Sequence, residues 1–128
     1  MSIRVVRLGS ARARGEGLRI GTVRRPPRGV PRSRYAADDW YDVWLPNLAP
    51  SAALVKAAQA SPTPRAWQAF ARRYRAEMAK PENRRVIELL AALSHRANLA
   101  VGCYCEDEAR CHRSVLRELL DESGAKLA

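Results

Sequence analysis

The last third of the chain constrains the fold most, because it has the pattern of a buried strand, a turn and a helix in that order. The apolar run 99–104 is typical of a buried strand. Val115, Leu116, Leu119 and Leu120 then recur at helical spacing, and Gly124 is suited to end that helix. A strand followed by a helix is the repeating unit of α/β folds, so this class is favoured from the outset.

Two more strands are predicted near the N-terminus. The first covers Ile3 to Leu8, whose residues are mostly β-branched or aliphatic. The second covers Leu18 to Val23, where apolar residues alternate with small or polar ones, so we expect one of its faces to be exposed. The arginine-containing segment from Arg12 to Gly17 is predicted to be an exposed loop between them.

Three helices are predicted in the middle of the chain. The first opens at Pro50-Ser51, with Ser51 as its N-cap, and the second at Thr63-Pro64. The second helix has one apolar stripe, which consists of Trp67, Phe70, Ala71, Tyr74 and Met78. The third opens at Pro81, and its expected buried face consists of Val86, Leu89, Leu90 and Leu93.

Helices interleaved between apolar strands predict an α/β fold. We expect a single three-layer domain over residues 1–128, with a small, mostly parallel sheet and about four helices. A chain of 128 residues can bury a core without disulfides or metal. A bound metal, where there is one, would therefore not be required for folding.

The sequence predicts a cytoplasmic protein that is not embedded in a membrane. No run approaches the roughly 18 apolar residues of a membrane span, and the N-terminus does not have the pattern of a secretory signal. The three cysteines lie within nine positions and are odd in number, which does not suit a disulfide framework. We interpret them as thiols that belong to a site.

Positive charge is concentrated in the first quarter of the chain. The net charge is +10, and residues 1–34 contain ten arginines against one acid, Glu16. Residues 24–31, RRPPRGVP, contain three prolines and one glycine, so they are predicted to form an irregular loop, here called the arginine loop. Arg24, Arg25 and Arg28 could grip phosphate or carboxylate groups, because a guanidinium binds such anions through two nitrogens. The alternative is a general preference for arginine, since the chain has 20 arginines and 3 lysines.

The segment Tyr35 to Leu48 combines aromatic and acidic residues, and its periodicity does not settle its structure. Trp40, Tyr41 and Trp44 could stack on a nucleobase or pack onto the core, and both interpretations stay open.

The segment Cys103 to Arg113 joins the predicted last strand to the last helix, the position where ligands usually bind in open α/β sheets. Cys103 and Cys105 are two residues apart and point to the same face of an extended chain. Cys111 would begin the helix, whose N-terminal dipole stabilises a thiolate. The acidic residues 106–108 oppose this effect.

Three hypotheses fit this segment. In the first, the thiolates of Cys103, Cys105 and Cys111 bind a soft metal such as zinc together with His112. The ligand types fit, but the spacing is unusual for zinc, and adjacent residues 111 and 112 should diverge on a helix.

In the second hypothesis, Cys111 or Cys105 is a nucleophile, His112 is its acid or base, and Arg110 or Arg113 holds an anionic substrate. In the third, the segment is structural. Cys103 is then a small buried hydrophobic residue, while His112 and Arg113 fix the turn by hydrogen bonds.

Four stretches resemble a known family, the bacterial domain-of-unknown-function family 488, which is related to the YeaO-like proteins. They are RRPPRGVP (24–31), VWLPNLAPS (43–51), WQAFARRYRAEM (67–78) and GCYCEDEARCHRSVL (102–116). The Cys-His-Arg ending is similar to the cysteine-bearing branch of the family, whereas YeaO-like members lack these cysteines.

The resemblance implies a compact α/β fold and supplies no reaction. It also brings together the arginine loop and the segment 105–113, and we expect both to line one cleft. The ligand would then be a phosphorylated small molecule, a nucleotide or a nucleic acid. The other possibility is a metal-binding or nucleic-acid-interaction module without catalytic activity. The sequence indicates neither the cofactor nor the oligomeric state.

Overall fold

In the part of the chain that the structure describes, four short strands form one sheet in which every pairing is parallel, in the order β1-β4-β2-β3. The strands are β1 (Ile3–Arg7), β2 (Leu18–Gly21), β3 (Val43–Trp44) and β4 (Leu99–Cys103). The computed structural model describes residues 1–60 and 63–128. The predicted α/β class with a small parallel sheet is confirmed.

The central strand β4 is buried along its whole length, as its apolar sequence predicts. It pairs with β1 from Ile3 opposite Leu99 to Arg7 opposite Cys103, and with β2 on its other side. The C-terminal segment also reaches the sheet, because Leu127 forms a parallel bridge to Ile3. The carboxyl ends of β1, β2 and β4 therefore meet at one edge.

In the described residues, four α-helices complete the fold, as predicted. They are α1 (Ala52–Ala60), α2 (Pro64–Met78), α3 (Pro81–Leu93) and α4 (His112–Glu122). Both predicted N-caps are present. The hydroxyl of Ser51 accepts a hydrogen bond from the Leu54 amide at 3.2 Å, and that of Thr63 accepts one from the Ala66 amide at 3.0 Å. Each cap satisfies an amide that has no partner within the helix.

One face of the sheet packs on the helices. Ile20, Leu99 and Val101 join a core in which α2 contributes Phe70, Tyr74 and Met78, three members of its predicted stripe.

The predicted buried face of α3 is partly wrong. Leu89 and Leu93 are exposed, and Ile87 and Ala91 are buried instead, together with Leu90. The apolar residues of α3 cover more than one side of the helix. The buried face predicted from periodicity alone is therefore shifted by about one residue from the observed one.

The second face of the sheet holds a buried ion pair, which corrects the expectation of an exposed face on β2. Arg19 alternates with Ile20 and so points away from the helices, yet its side chain is fully buried. Its guanidinium donates two hydrogen bonds to the carboxylate of Glu16, at 2.7 and 2.9 Å. It also donates to the carbonyl oxygens of Ser10 and Asp39, both at 2.8 Å. The segments 8–17 and 35–42 are thereby fixed over this face.

Residues 24–31 contain neither helix nor strand, as their prolines predict. The segment that follows forms two short 3-10 turns, Arg32–Arg34 and Pro46–Leu48, with β3 between them. Among its aromatic residues, Tyr41 is buried and packs against Gly21, where a Cβ atom would come within 2.4 Å of the Tyr41 ring. Trp40 is half-buried and Trp44 is exposed. Core packing is therefore confirmed for Tyr41, and Trp40 packs at the edge of the same cluster of buried side chains.

Within residues 1–60 and 63–128, no helix combines the length and apolar character that a bilayer crossing requires.

Loss of the Glu16 carboxylate should strongly destabilise the domain. Glu16→Gln leaves the Arg19 guanidinium buried without a counter-charge, and breaking such a pair costs about 3–5 kcal/mol. The control Glu88→Gln affects exposed ion pairs with Arg84 and Arg85 and should cost at most about 1 kcal/mol. Denaturant unfolding of both variants measures the difference. Equal stability of the two variants would show that the buried pair contributes nothing.

The stabilisation by Glu16 should also depend on pH. Burial raises the pKa of Glu16, but the hydrogen bonds from Arg19 and from the Ala13 amide outweigh it and leave this pKa below its ordinary value. A carboxylate with a depressed pKa in the folded state stabilises that state above its unfolded pKa of about 4.3. The stability difference between wild type and Glu16→Gln should therefore shrink as the pH falls below that value.

Candidate functional site

The candidate site lies where β4 ends and the chain turns into α4. The turn contains a short 3-10 segment, Glu108–Arg110, whose start is capped by the Asp107 carboxylate on the Ala109 amide at 3.0 Å. Two acidic residues of the turn are paired with arginines: Glu108 with Arg117 at 2.9 Å, and Glu106 with Arg7, the last residue of β1, at 3.5 Å. The sequence suggested that these carboxylates repel a thiolate at Cys111, and local pairing reduces this repulsion.

Cys111 and His112 converge, which corrects the expectation that adjacent residues on a helix diverge. Cys111 has the extended backbone of an N-cap, with φ −126° and ψ 150°, and α4 begins only at His112. The two side chains therefore do not follow helical spacing, and the Cys111 Sγ lies 3.7 Å from Nδ1 of His112. Both residues are buried.

The orientation of the His112 ring is fixed by the backbone of β2. Its Nε2 lies 2.8 Å from the carbonyl oxygen of Thr22, which can only accept a hydrogen bond. Nε2 therefore carries the proton, and Nδ1 directs its lone pair toward Cys111. The Tyr74 ring packs beside the imidazole at a centroid distance of 5.4 Å. The Tyr74 hydroxyl is held by the carbonyl oxygen of Leu48 at 2.7 Å.

The sulfur atoms of Cys103 and Cys111 lie close to this imidazole, and the Cys105 sulfur lies beside that of Cys103. The Cys103 and Cys105 Sγ atoms are 3.7 Å apart. The ligand atoms of Cys103, Cys111 and His112 all lie within 4.8 Å of one another. All three cysteines are free, and only Cys105 is exposed. This Cys/His cluster, formed by Cys103, Cys105, Cys111 and His112, could bind a metal ion, since thiolate and imidazole suit zinc.

The sulfur atoms influence one another's proton affinity. Cys103 donates a hydrogen bond to the Cys105 sulfur, which raises the pKa of Cys103 and lowers that of Cys105. The positive charge of Arg113 lowers the pKa of Cys105 further. The pKa of Cys111 is also lowered, chiefly by a hydrogen bond from Cys103. The hydrogen bond from Cys103 and the charge of Arg113 thus favour negative charge on the Cys105 sulfur.

Arg113 lies behind the cluster and does not line the cleft. Its side chain is 3% exposed, and its Nη2 donates to the carbonyl oxygen of Cys105 at 2.6 Å. Its Nε has no hydrogen-bond partner among the described residues. Arg113 therefore fixes the turn at Cys105 and brings a buried positive charge next to the sulfurs.

A cleft of about 1460 Å³ opens in front of the Cys/His cluster. The predicted site residues that line it are Arg24, Arg25 and Arg28 of the arginine loop, and Cys103, Cys105, Arg110, Cys111 and His112 of the turn. The arginine loop and the turn thus line one cleft, as the sequence analysis expected. Their roles in binding and catalysis stay predictions.

Arg24 has a structural role in the arginine loop. Its guanidinium donates to the carbonyl oxygens of Pro46, Ala49 and Pro50 at distances of 3.0 to 3.1 Å. Arg25 and Arg28 are exposed at the cleft. The loop is also fixed to the turn, since the Tyr104 hydroxyl donates to the Arg25 carbonyl at 2.9 Å.

Sequence reasoning missed several residues that line the cleft, namely Arg7, Trp40, Lys56, Trp67 and Phe70. Arg7 could have been found, because it ends β1 and the carboxyl ends of parallel strands share one edge. Trp67 and Phe70 are part of the apolar stripe of α2, and nothing in that pattern shows that the stripe extends past the core into a cleft.

One family model matches the chain over residues 3–124, and it is described as the active DUF488-N3 subclade. No curated protein and no solved structure matches the chain. The relation to the YeaO-like proteins stays a prediction.

The protonation state of His112 can be measured directly. We expect the ring proton on Nε2, where the Thr22 carbonyl accepts it at 2.8 Å. A long-range ¹H–¹⁵N NMR spectrum distinguishes the two nitrogens, and His95→Gln assigns the signals because the chain has two histidines. A proton on Nδ1 alone would contradict the hydrogen bond to Thr22, and protons on both nitrogens would indicate an ion pair with a thiolate.

Proposed function

This chain belongs to the DUF488 family, through its match over residues 3–124 to the active DUF488-N3 subclade, and we propose that it binds a phosphate-bearing ligand of nucleotide type in the cleft. The bound ligand would lie against the Cys/His cluster.

The observation that carries this proposal is the charge of the cleft wall. Six cationic side chains line it, and the described lining contains neither Asp nor Glu; the six are Arg7, Arg24, Arg25, Arg28, Lys56 and Arg110. A concave surface of one charge sign raises the local concentration of ions of the opposite sign. Guanidinium groups also match phosphate oxygens in pairs, so an anion with several phosphate oxygens suits this wall.

The opposite part of the lining suits an aromatic group. The rings of Trp67 and Phe70 stack at 5.2 Å, and Trp40 contacts Tyr104 edge to face at 5.8 Å. A nucleobase stacked on an aromatic side chain gains about 1–3 kcal/mol. The cleft volume of about 1460 Å³ exceeds the range of roughly 300–1,000 Å³ that is usual for small-molecule pockets. A nucleotide or a short single-stranded segment therefore suits its size.

Two exposed arginines should determine much of the affinity. We expect Arg25→Ala/Arg28→Ala to weaken nucleotide binding at least about tenfold, since hydrogen bonds to charged groups contribute about 1.5–3 kcal/mol each and exposure reduces this value. Titration of AMP, GMP, ATP and GTP, followed by tryptophan fluorescence and calorimetry, measures the affinity. The expected stoichiometry is one nucleotide per chain.

The matched control is Arg84→Ala/Arg85→Ala on α3. It changes the net charge by the same amount, and neither residue lines the cleft. A loss of nucleotide affinity that is larger in Arg25→Ala/Arg28→Ala than in Arg84→Ala/Arg85→Ala supports a defined pocket. Equal losses, together with salt-sensitive binding to any DNA or RNA, would replace the proposal with simple electrostatic association. Failure of every nucleotide to bind would overturn it.

A third variant tests the aromatic part of the cleft. Trp67→Leu should lower the affinity for nucleotides about fivefold or more, because it removes the stacking surface, and should leave the affinity for inorganic phosphate or pyrophosphate unchanged. A parallel loss of both affinities would show that the variant disturbs the cleft as a whole.

A further inference from the structure

We propose that the Cys/His cluster is a zinc site, with Cys103 Sγ, Cys105 Sγ, Cys111 Sγ and His112 Nδ1 as its four ligands. The metal would bind at the floor of the cleft, at the junction between β4 and α4. This inference does not depend on nucleotide binding, and the two proposals can fail separately.

The distances between ligand atoms match a zinc tetrahedron. Zn–S bonds of about 2.3 Å and Zn–N bonds of about 2.0–2.1 Å place neighbouring ligand atoms roughly 3.6–3.8 Å apart. The Cys103 and Cys105 sulfurs are 3.7 Å apart, and the Cys111 sulfur lies 3.7 Å from His112 Nδ1. The remaining separations among Cys103, Cys111 and His112 are at most 4.8 Å. A contraction of about 1 Å would bring the ligand atoms of Cys103, Cys111 and His112 to these distances, and Cys105, next to Cys103, would be the fourth ligand.

The surroundings of His112 suit a metal ligand. A metal-bound imidazole usually donates its second N–H to a carbonyl or a carboxylate, which fixes the tautomer and the direction of the ring. Nε2 of His112 donates to the Thr22 carbonyl at 2.8 Å, so Nδ1 is the free nitrogen, and it points toward the sulfurs. The Arg113 hydrogen bond to the Cys105 carbonyl, at 2.6 Å, fixes the backbone of a second ligand in the same way.

The charge of Arg113 gives an independent reason for an anionic centre. Buried guanidinium groups are normally paired with an anion. Arg113 is 3% exposed, yet among residues 1–60 and 63–128 it forms an ion pair with no carboxylate, and its Nε has no partner. Zn²⁺ with three thiolates and one neutral imidazole has a net charge of −1. The zinc site would therefore neutralise Arg113.

The presence of three thiols in one cluster also favours a metal site over a site for nucleophilic catalysis. Nucleophilic catalysis requires one thiolate and one base, which Cys111 and His112 would supply. Nucleophilic catalysis gives no reason for two more cysteines in the same cluster. One of them, Cys103, is buried. A four-ligand site uses all three, and each thiol releases its proton to solvent when zinc binds.

The test starts from protein purified under reducing conditions without a metal-affinity tag and supplied with Zn²⁺. We expect about one zinc per chain by elemental analysis and three thiols protected from alkylation, which become reactive after chelation. Replacement by Co²⁺ should give the strong sulfur-to-cobalt absorption and the visible bands of a tetrahedral site. Three reactive thiols without bound zinc would overturn the proposal, and so would iron as the only bound metal.

Single variants test the four ligands. Cys105→Ala should fold normally because Cys105 is exposed, and should weaken zinc binding at least tenfold with a changed cobalt spectrum. His112→Gln should do the same, and its control, His95→Gln, should retain one zinc. Unchanged zinc affinity in Cys105→Ala or His112→Gln would contradict the four-ligand site.

The two proposals are separated by one further measurement. Arg25→Ala/Arg28→Ala should keep one zinc per chain while it loses nucleotide affinity. Zinc loss in this double variant would show that the arginine loop supports the metal site, against the ligand set proposed here.

Discussion

The parallel pairing of β4 with both β1 and β2 determines where every candidate site residue lies. The register sets Arg7 opposite Cys103 and Gly21 opposite Gly102, so the three strands end at the same level. This register depends on close packing at Gly102, where a Cβ atom would come within 2.7 Å of Leu8 and 2.9 Å of the Val6 carbonyl. The arginine loop after β2 and the turn after β4 share one edge of the sheet because of this pairing.

Two buried arginines, Arg19 and Arg113, stabilise different parts of the fold in different ways. Arg19 has a carboxylate partner three residues away and fixes the segments 8–17 and 35–42. Arg113 has the backbone carbonyl of Cys105 as its partner, and its charge acts on the sulfur of the same residue. Burying a charge is costly for both arginines. Beside Arg19, Glu16 supplies the compensating negative charge, and beside Arg113 the sulfurs are the groups that would supply it.

The sequence predicted those features that depend on local chemistry. The strands, the helices capped by Ser51 and Thr63, and the irregular arginine loop follow from residue types at adjacent positions. It could not predict features set by tertiary contacts. The burial of Arg19 depends on two loops that fold over the sheet. The approach of Cys111 to His112 depends on one extended residue before α4, where the pattern predicted a helix. The bonds from Arg24 depend on carbonyls more than 20 residues away.

The two proposals assign different chemistry to the two parts of the cleft. Thiolates that bind zinc through four protein ligands have no open coordination position and are not free nucleophiles. Recognition of an anionic ligand then falls to the exposed arginines and the aromatic side chains, while the metal keeps the floor of the cleft rigid. Cys105 is the one exposed ligand, and it is linked to Arg113 through its carbonyl. Among the four metal ligands, Cys105 is therefore the residue through which a molecule bound in the cleft and the metal site would influence each other.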